Sequence, residues 1–127
     1  MKDLPNILIV DDLSVNLVLL ESIIDQPDVN IIKALSGKEA LVKTHGEEIA
    51  LAIIDVYMPE MDGIELTKQI RNHANPSLRK LPIIILTGSI SAETSGSMIE
   101  AGVNDYIYKP FKQKDLIELI RKQFQIA

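Results

Sequence analysis

At 127 residues and 14.1 kDa the chain has the size of one domain, large enough for a single hydrophobic core. Its apolar runs are strand-sized, far short of the roughly 18 residues a membrane helix needs, and the lack of cysteine excludes disulfides and thiolate metal sites. A formal charge of −5, no run of Lys or Arg, and only three Tyr and two Phe argue against a nucleic-acid surface. No long apolar segment follows Met1-Lys2-Asp3-Leu4-Pro5, so a secretory signal is not expected. A cytoplasmic protein with one domain over residues 1–127 is the expectation.

In chain order, Asn6 to Val10 is an apolar run that stops on Asp11-Asp12 and is predicted as the first strand. A helix follows, with Ser14 or Asp12 as its N-cap and Leu17, Leu20 and Ile24 on its buried face; Pro27 should end it. Val29 to Leu35, interrupted by Asn30 and Lys33, is predicted as an edge strand. Ser36-Gly37-Lys38-Glu39 is a capping box that opens a short helix to about His45, with Gly46 for its C-terminal turn. The third strand, from Leu51 to Asp55, is apolar until its last residue. Such a run suits a strand buried on both faces, and a carboxylate belongs at its end because a buried unpaired charge is costly.

Asp62 as N-cap and Glu65 at N3 start a helix through Ile70, and Asn72 to Pro76 reads as a polar loop. Pro82 opens the fourth strand, Ile83 to Leu86, which ends on Thr87-Gly88. Ser91 to Ala101 is a helix closed by Gly102; its Ser95-Gly96-Ser97 centre has poor propensity, so it should be the least stable helix. Asn104 to Tyr108 is the fifth strand, before Lys109-Pro110-Phe111. The last helix, about Gln113 to Phe124, carries Leu116, Ile117, Leu119, Ile120 and Phe124.

Five alternations of strand and helix predict an α/β fold, a doubly wound parallel sheet covered on both sides. Right-handed crossovers put every strand's C-terminal end on one edge. With strand order 2-1-3-4-5, strands 1 and 3 are neighbours at the switch point, so Asp11, Asp12 and Asp55 should meet, with Thr87 and Lys109 closing the other side. Three carboxylates so close repel, which raises carboxyl pKa values unless a cation sits among them. Oxygen-only ligands favour a hard ion, and Mg²⁺ binds through one or two carboxylates plus waters and phosphate oxygens. Asp55 is then a candidate nucleophile for an aspartyl phosphate. Lys109 can neutralise phosphoryl oxygens, Thr87 can donate its hydroxyl, and Gly88 lets its backbone N–H approach.

Asp11-Asp12, Asp55 with Met58-Pro59 and Asp62-Gly63, Thr87, and Lys109-Pro110-Phe111 together resemble the receiver domain of bacterial two-component response regulators, the CheY-like family with its flavodoxin-like (βα)5 fold. The resemblance covers essentially the whole chain. It implies a phosphoacceptor switch and not a turnover enzyme, in which Asp55 takes phosphate from a phosphohistidine on a sensor histidine kinase or histidine phosphotransfer protein. It further implies that Asp12, Asp55 and the backbone carbonyl of Tyr57 hold Mg²⁺ (Mn²⁺ being able to substitute), with Asp11 acting mainly through water. Thr87 and Tyr106 would be the switch pair. The surface of the fourth helix, fifth strand and fifth helix would change shape for a downstream protein or output domain, and phosphorylation would favour any dimer built on it. Tyr57 and Ser89 stand at the two positions that tune loss of the phosphoryl group, and bulky Tyr57 should slow it. The family also suggests a cis bond at Lys109-Pro110.

Taken singly, several of these residues have plainer readings: Asp62-Gly63 as a helix cap, Tyr106 as core, Tyr108 as structural, and His45 and His73 as solvated surface residues with no second histidine at ligand spacing. An aspartate-nucleophile phosphatase needs an acid two positions after its nucleophile, where Tyr57 stands. A flavodoxin-like nucleotide binder needs a Gly, Ser or Thr-rich loop after strand 1, where Asp11-Asp12-Leu13 would repel phosphate. A non-phosphorylated interaction module on the same site is the remaining alternative.

Overall fold

The computed structural model describes residues 4–24, 29–88 and 92–124. The elements run β1 (Asn6–Val10), α1 (Ser14–Ile24), β2 (Asn30–Ala34), α2 (Gly37–Gly46), β3 (Leu51–Asp55), α3 (Gly63–Arg71), α4 (Pro76–Arg79), β4 (Ile83–Thr87), α5 (Ala92–Ala101), β5 (Asp105–Tyr108) and α6 (Gln113–Phe124). The five strands form one sheet in the order β2-β1-β3-β4-β5, and every pairing is parallel. That is the doubly wound order expected from the alternation, with β2 at an edge.

The central strands are apolar throughout because both sheet faces are covered. Strand side chains alternate between the faces. Leu8, Val10, Ala52, Ile54, Ile83 and Ile85 pack with Leu66, Ile70 and Met98 on one side, and Ile7, Ile9, Leu51, Ile53, Ile84 and Leu86 pack with Leu17, Leu20, Ile24, Leu116 and Ile120 on the other. Burying one such side chain contributes about 1.5–3 kcal/mol, so this double core dominates the stability.

Capping falls where the sequence placed it at two helices. Ser36 Oγ accepts the Glu39 N–H at 3.0 Å and Asp62 Oδ1 accepts the Glu65 N–H at 2.8 Å. At α1 the capping position falls on Leu13 and not on Ser14 or Asp12: its carbonyl accepts the Asn16 and Leu17 N–H groups at 3.0 and 3.3 Å, while its own N–H donates to Asp11 Oδ1 at 3.0 Å in the turn before the helix. The expected stop at Pro27 and the expected helix start at Ser91 lie outside the described residues. The expected loop from Asn72 to Pro76 is corrected at its end, where Pro76 opens the one-turn helix α4 behind Asn75, which accepts the Ser77 N–H at 2.9 Å. Asn then Pro suits N-cap then first helical position, since proline has no N–H to satisfy there.

Two contacts tie distant segments to the sheet. Arg71, ending α3, donates from Nε and Nη2 to the Gly102 carbonyl at 3.0 and 2.8 Å, and from Nη2 to Asn104 Oδ1 at 2.8 Å. The same Asn104 oxygen accepts the Ile83 N–H at 2.8 Å, so α3 is bound to the entries of β4 and β5. At the other end of α3, the Gly63 N–H donates to the Val56 carbonyl at 2.8 Å. A Cβ at Gly63 would collide with the Asp55 carbonyl oxygen and come within 2.9 Å of Ile54 Cγ2. Gly63→Ala should therefore lower the free energy of unfolding by about 1–3 kcal/mol in urea denaturation, as overpacking does. A variant more stable than the parent, through alanine's better helix propensity, would contradict this close approach.

Candidate functional site

Asp55 is the last residue of β3 and Asp11 follows the last residue of β1. Because β1 and β3 are hydrogen-bonded neighbours, the two carboxylates emerge side by side at the C-terminal edge of the sheet. Asp12 joins them: one carboxylate oxygen from each of Asp11, Asp12 and Asp55 lies within 4.8 Å of the others. Asp11 and Asp55 are buried, at 1% and 7% exposure. The sequence-predicted cluster is assembled by the strand order alone.

Lys109 reaches this cluster from the end of β5. Its Nζ lies 2.7 Å from Asp55 Oδ1 and 3.8 Å from Asp11 Oδ2, and its backbone N–H donates to the Thr87 carbonyl at 2.7 Å. The Lys109-Pro110 bond is cis, as the resemblance suggested. Thr87, ending β4, is fully buried and sits in register with Tyr108 across the β4–β5 pair. Gly88 is exposed, and a Cβ there would meet nothing within 4 Å. Access to its backbone N–H thus does not depend on glycine, and alanine would serve equally. Tyr57 sits in the loop after β3 and is 56% exposed. Ser89 lies outside the described residues.

Sequence reasoning missed Asn16. Its Nδ2 donates to Asp11 Oδ2 at 3.1 Å, so both oxygens of that buried carboxylate have protein donors. The signal was an amide side chain in the first turn of α1, five residues after Asp11 and so within reach of it. It also did not foresee that His45 and His73 approach, with ring centroids 5.2 Å apart. They end α2 and follow α3, so only tertiary packing brings them together, and His73 Nδ1 accepts the Asn75 N–H at 3.0 Å.

The site carries three carboxylates and one ammonium, an excess of negative charge in a partly dry place. Burial pushes the Asp55 carboxyl above its ordinary 3.8; the hydrogen bond and charge of Lys109 oppose this, and the charges of Asp11 and Asp12 reinforce it. The donor set is oxygen only, crowded and negative, and so fits a hard divalent cation such as Mg²⁺.

The comparisons with known proteins agree with this geometry. Residues 7–121 match the model of the response regulator receiver domain. The chain belongs to that family. It is 31% identical over 124 residues to the sensor protein GacS of Pseudomonas syringae pv. syringae, covering 97% of this chain and 14% of GacS. It is 32% identical over 124 residues to the alkaline phosphatase synthesis transcriptional regulatory protein PhoP of Bacillus subtilis, covering 95% of this chain and 50% of PhoP. Among solved structures, a CheY-like receiver domain protein from Methanospirillum hungatei aligns at a TM-score of 0.86 and 30% identity, over 98% of this chain and all of that one. The Vibrio cholerae chemotaxis protein CheY4 aligns at 0.87 and 26%, over 94% and 98%. This receiver domain thus spans half or less of those two curated relatives, a sensor protein and a transcriptional regulatory protein. Among its described residues, no helix is long and apolar enough to cross a membrane.

The direction of the Asp55 shift has a stability consequence. The folded state holds the Asp55 proton more tightly than the unfolded chain, so this group's contribution is fully present below pH 3.8 and is lost as pH rises through the raised folded value. Asp55→Asn should accordingly be more stable than the parent in metal-free buffer at neutral pH, on the order of 1 kcal/mol. The gap should close as pH falls toward 4. Urea denaturation at the two pH values checks this, and a variant no more stable than the parent at neutral pH would contradict it.

Proposed function

We propose that this receiver domain accepts a phosphoryl group onto Asp55 from a phosphohistidine of a sensor histidine kinase or histidine phosphotransfer protein. The observation that carries the reading is Lys109 Nζ held 2.7 Å from Asp55 Oδ1 beside two further carboxylates. An Asp55 oxygen attacks phosphorus as the bond to the imidazole nitrogen breaks. The imidazole leaves with that electron pair and takes up a proton from solvent, and an acyl phosphate remains on Asp55. Lys109 turns from the Asp55 carboxylate to a phosphoryl oxygen as a point charge, while the Thr87 hydroxyl and the Gly88 backbone N–H donate to the others. The work is positioning and charge stabilisation.

Asp12 and Asp55, with the Tyr57 backbone carbonyl, would hold Mg²⁺ or Mn²⁺, and Asp11 would act through water. The cation supplies charge neutralisation between carboxylates and phosphoryl oxygens. Tyr57 and Ser89 flank the phosphoryl position and set how fast water removes it, with the Tyr57 ring slowing that loss. Exposed Leu13, Val15, Val18 and Leu19, each 54–61% accessible on or just before α1, favour a protein donor over a small molecule.

On this reading Thr87 and Tyr106 are the switch pair. The short α4 shifts the helix count, so the face expected to change shape is α5–β5–α6. Its listener is a downstream protein or output domain, and phosphorylation favours any dimer formed through it. The domain over residues 1–127 works in the cytoplasm and, at a formal charge of −5, does not itself bind nucleic acid.

Intact mass after incubation with acetyl phosphate tests the reading. One added phosphoryl group is expected, requiring both Mg²⁺ and Asp55, and absent in Asp55→Asn. A folded parent that gains no mass with Mg²⁺ present would point to an interaction module that keeps the site without its chemistry.

A further inference from the structure

We propose that Tyr108 is the latch that holds Tyr106 in its outward position, and so sets how far the domain switches before any phosphoryl group arrives. The proposal rests on the reading of Tyr106 as a switch residue. Residues two apart on a strand share a face, and the rings of Tyr106 and Tyr108 meet there edge to face, with centroids 5.8 Å apart and planes at 85°. Tyr106 is in register with Ile85 and Tyr108 with Thr87, so both rings lie on the face that carries the buried Thr87.

The backbone around Tyr106 is held in place. β5 is an edge strand, and the Tyr106 N–H is taken up by Asp105 Oδ1 at 2.9 Å, while the other Asp105 oxygen lies 3.8 Å from Lys122 Nζ. What remains free is rotation of the Tyr106 side chain. Between α5 and β5 a surface cavity of about 300 Å³ is lined by Tyr106 itself with Met98, Ile99, Val103, Asn104 and Asp105. The ring nevertheless stays 43% exposed, against a Tyr108 that is itself 50% exposed. An edge-to-face pair contributes beyond the area it buries, and at this position that contribution favours the outward rotamer.

Removing the Tyr108 ring should shift the ratio of inward to outward Tyr106 by a factor of about 2 to 10, the fold-change that one aromatic pair corresponds to. Fluorine NMR of 3-fluorotyrosine-labelled protein reads this directly, because the chain has three tyrosines and the Tyr106 signal is the one lost in Tyr106→Phe. The solvent isotope shift between H₂O and D₂O reports its exposure. In the unphosphorylated state, Tyr108→Val and Tyr108→Leu should both move the Tyr106 signal toward the protected form, whereas Tyr108→Phe should match the parent. Tyr106 equally exposed in the parent and in the folded ring-less variants would overturn the latch, as would a Tyr108→Phe that releases it. Beryllofluoride with Mg²⁺ on the parent separates the two readings. A Tyr106 signal unmoved by that phosphoryl mimic would overturn the switch reading itself, and the latch with it.

Discussion

The structure depends on one charge placed where an apolar strand ends. Asp55 closes β3, whose other residues are buried and apolar, and its carboxylate is held at 7% exposure against a single ammonium. A buried carboxylate that is not fully compensated costs free energy. Here the cost is raised further by two neighbouring carboxylates and opposed by Lys109, with burial the largest cause, so the Asp55 proton is held more tightly than in the unfolded chain. A cation bound among such carboxylates offsets their mutual repulsion, so its binding and the fold's stability are coupled.

Strand order is what concentrates the charge. Lys109 and Asp55 are 54 positions apart in the chain, and neither has a local reason to find the other. Parallel pairing of β3 with β4 and of β4 with β5 brings their C-terminal ends to one edge, and the two apolar cores hold that edge rigid. Gly63 and the Val56 carbonyl close the β3–α3 loop tightly enough to leave no room for a Cβ, which keeps the loop from moving away from Asp55. Packing energy from dozens of apolar side chains thereby maintains a cluster that no pair of its members would maintain alone.

Much of this was legible along the chain because the signals are local. Apolar runs ending on Asp11, Asp55 and Thr87 mark strand ends by composition, Lys109 follows a run of alternating pattern, and Ser36 and Asp62 mark helix starts by capping. The topology then follows from general rules of handedness and crossover. What stayed hidden depends on which surfaces tertiary packing brings face to face. Asn16 on Asp11, Arg71 on Gly102 and Asn104, and His45 beside His73 join residues that no periodicity connects. Tyr108 reads from sequence as one more strand aromatic, and only its ring contact with Tyr106 gives it a distinct place. The short helix α4 was missed for a different reason: a single turn has no apolar periodicity to reveal it, and only the Asn75-Pro76 pair announced it.

Charge relief at the cluster can be measured without any phosphoryl chemistry, by unfolding the parent in urea with chelator and then with increasing Mg²⁺. The expected result is a rise in stability that grows with Mg²⁺, by roughly 1.4 kcal/mol at ten times the dissociation constant, and that is lost in Asp12→Asn. Identical unfolding of the parent with chelator and with millimolar Mg²⁺ would contradict the view that the acidic edge of this fold holds a divalent cation.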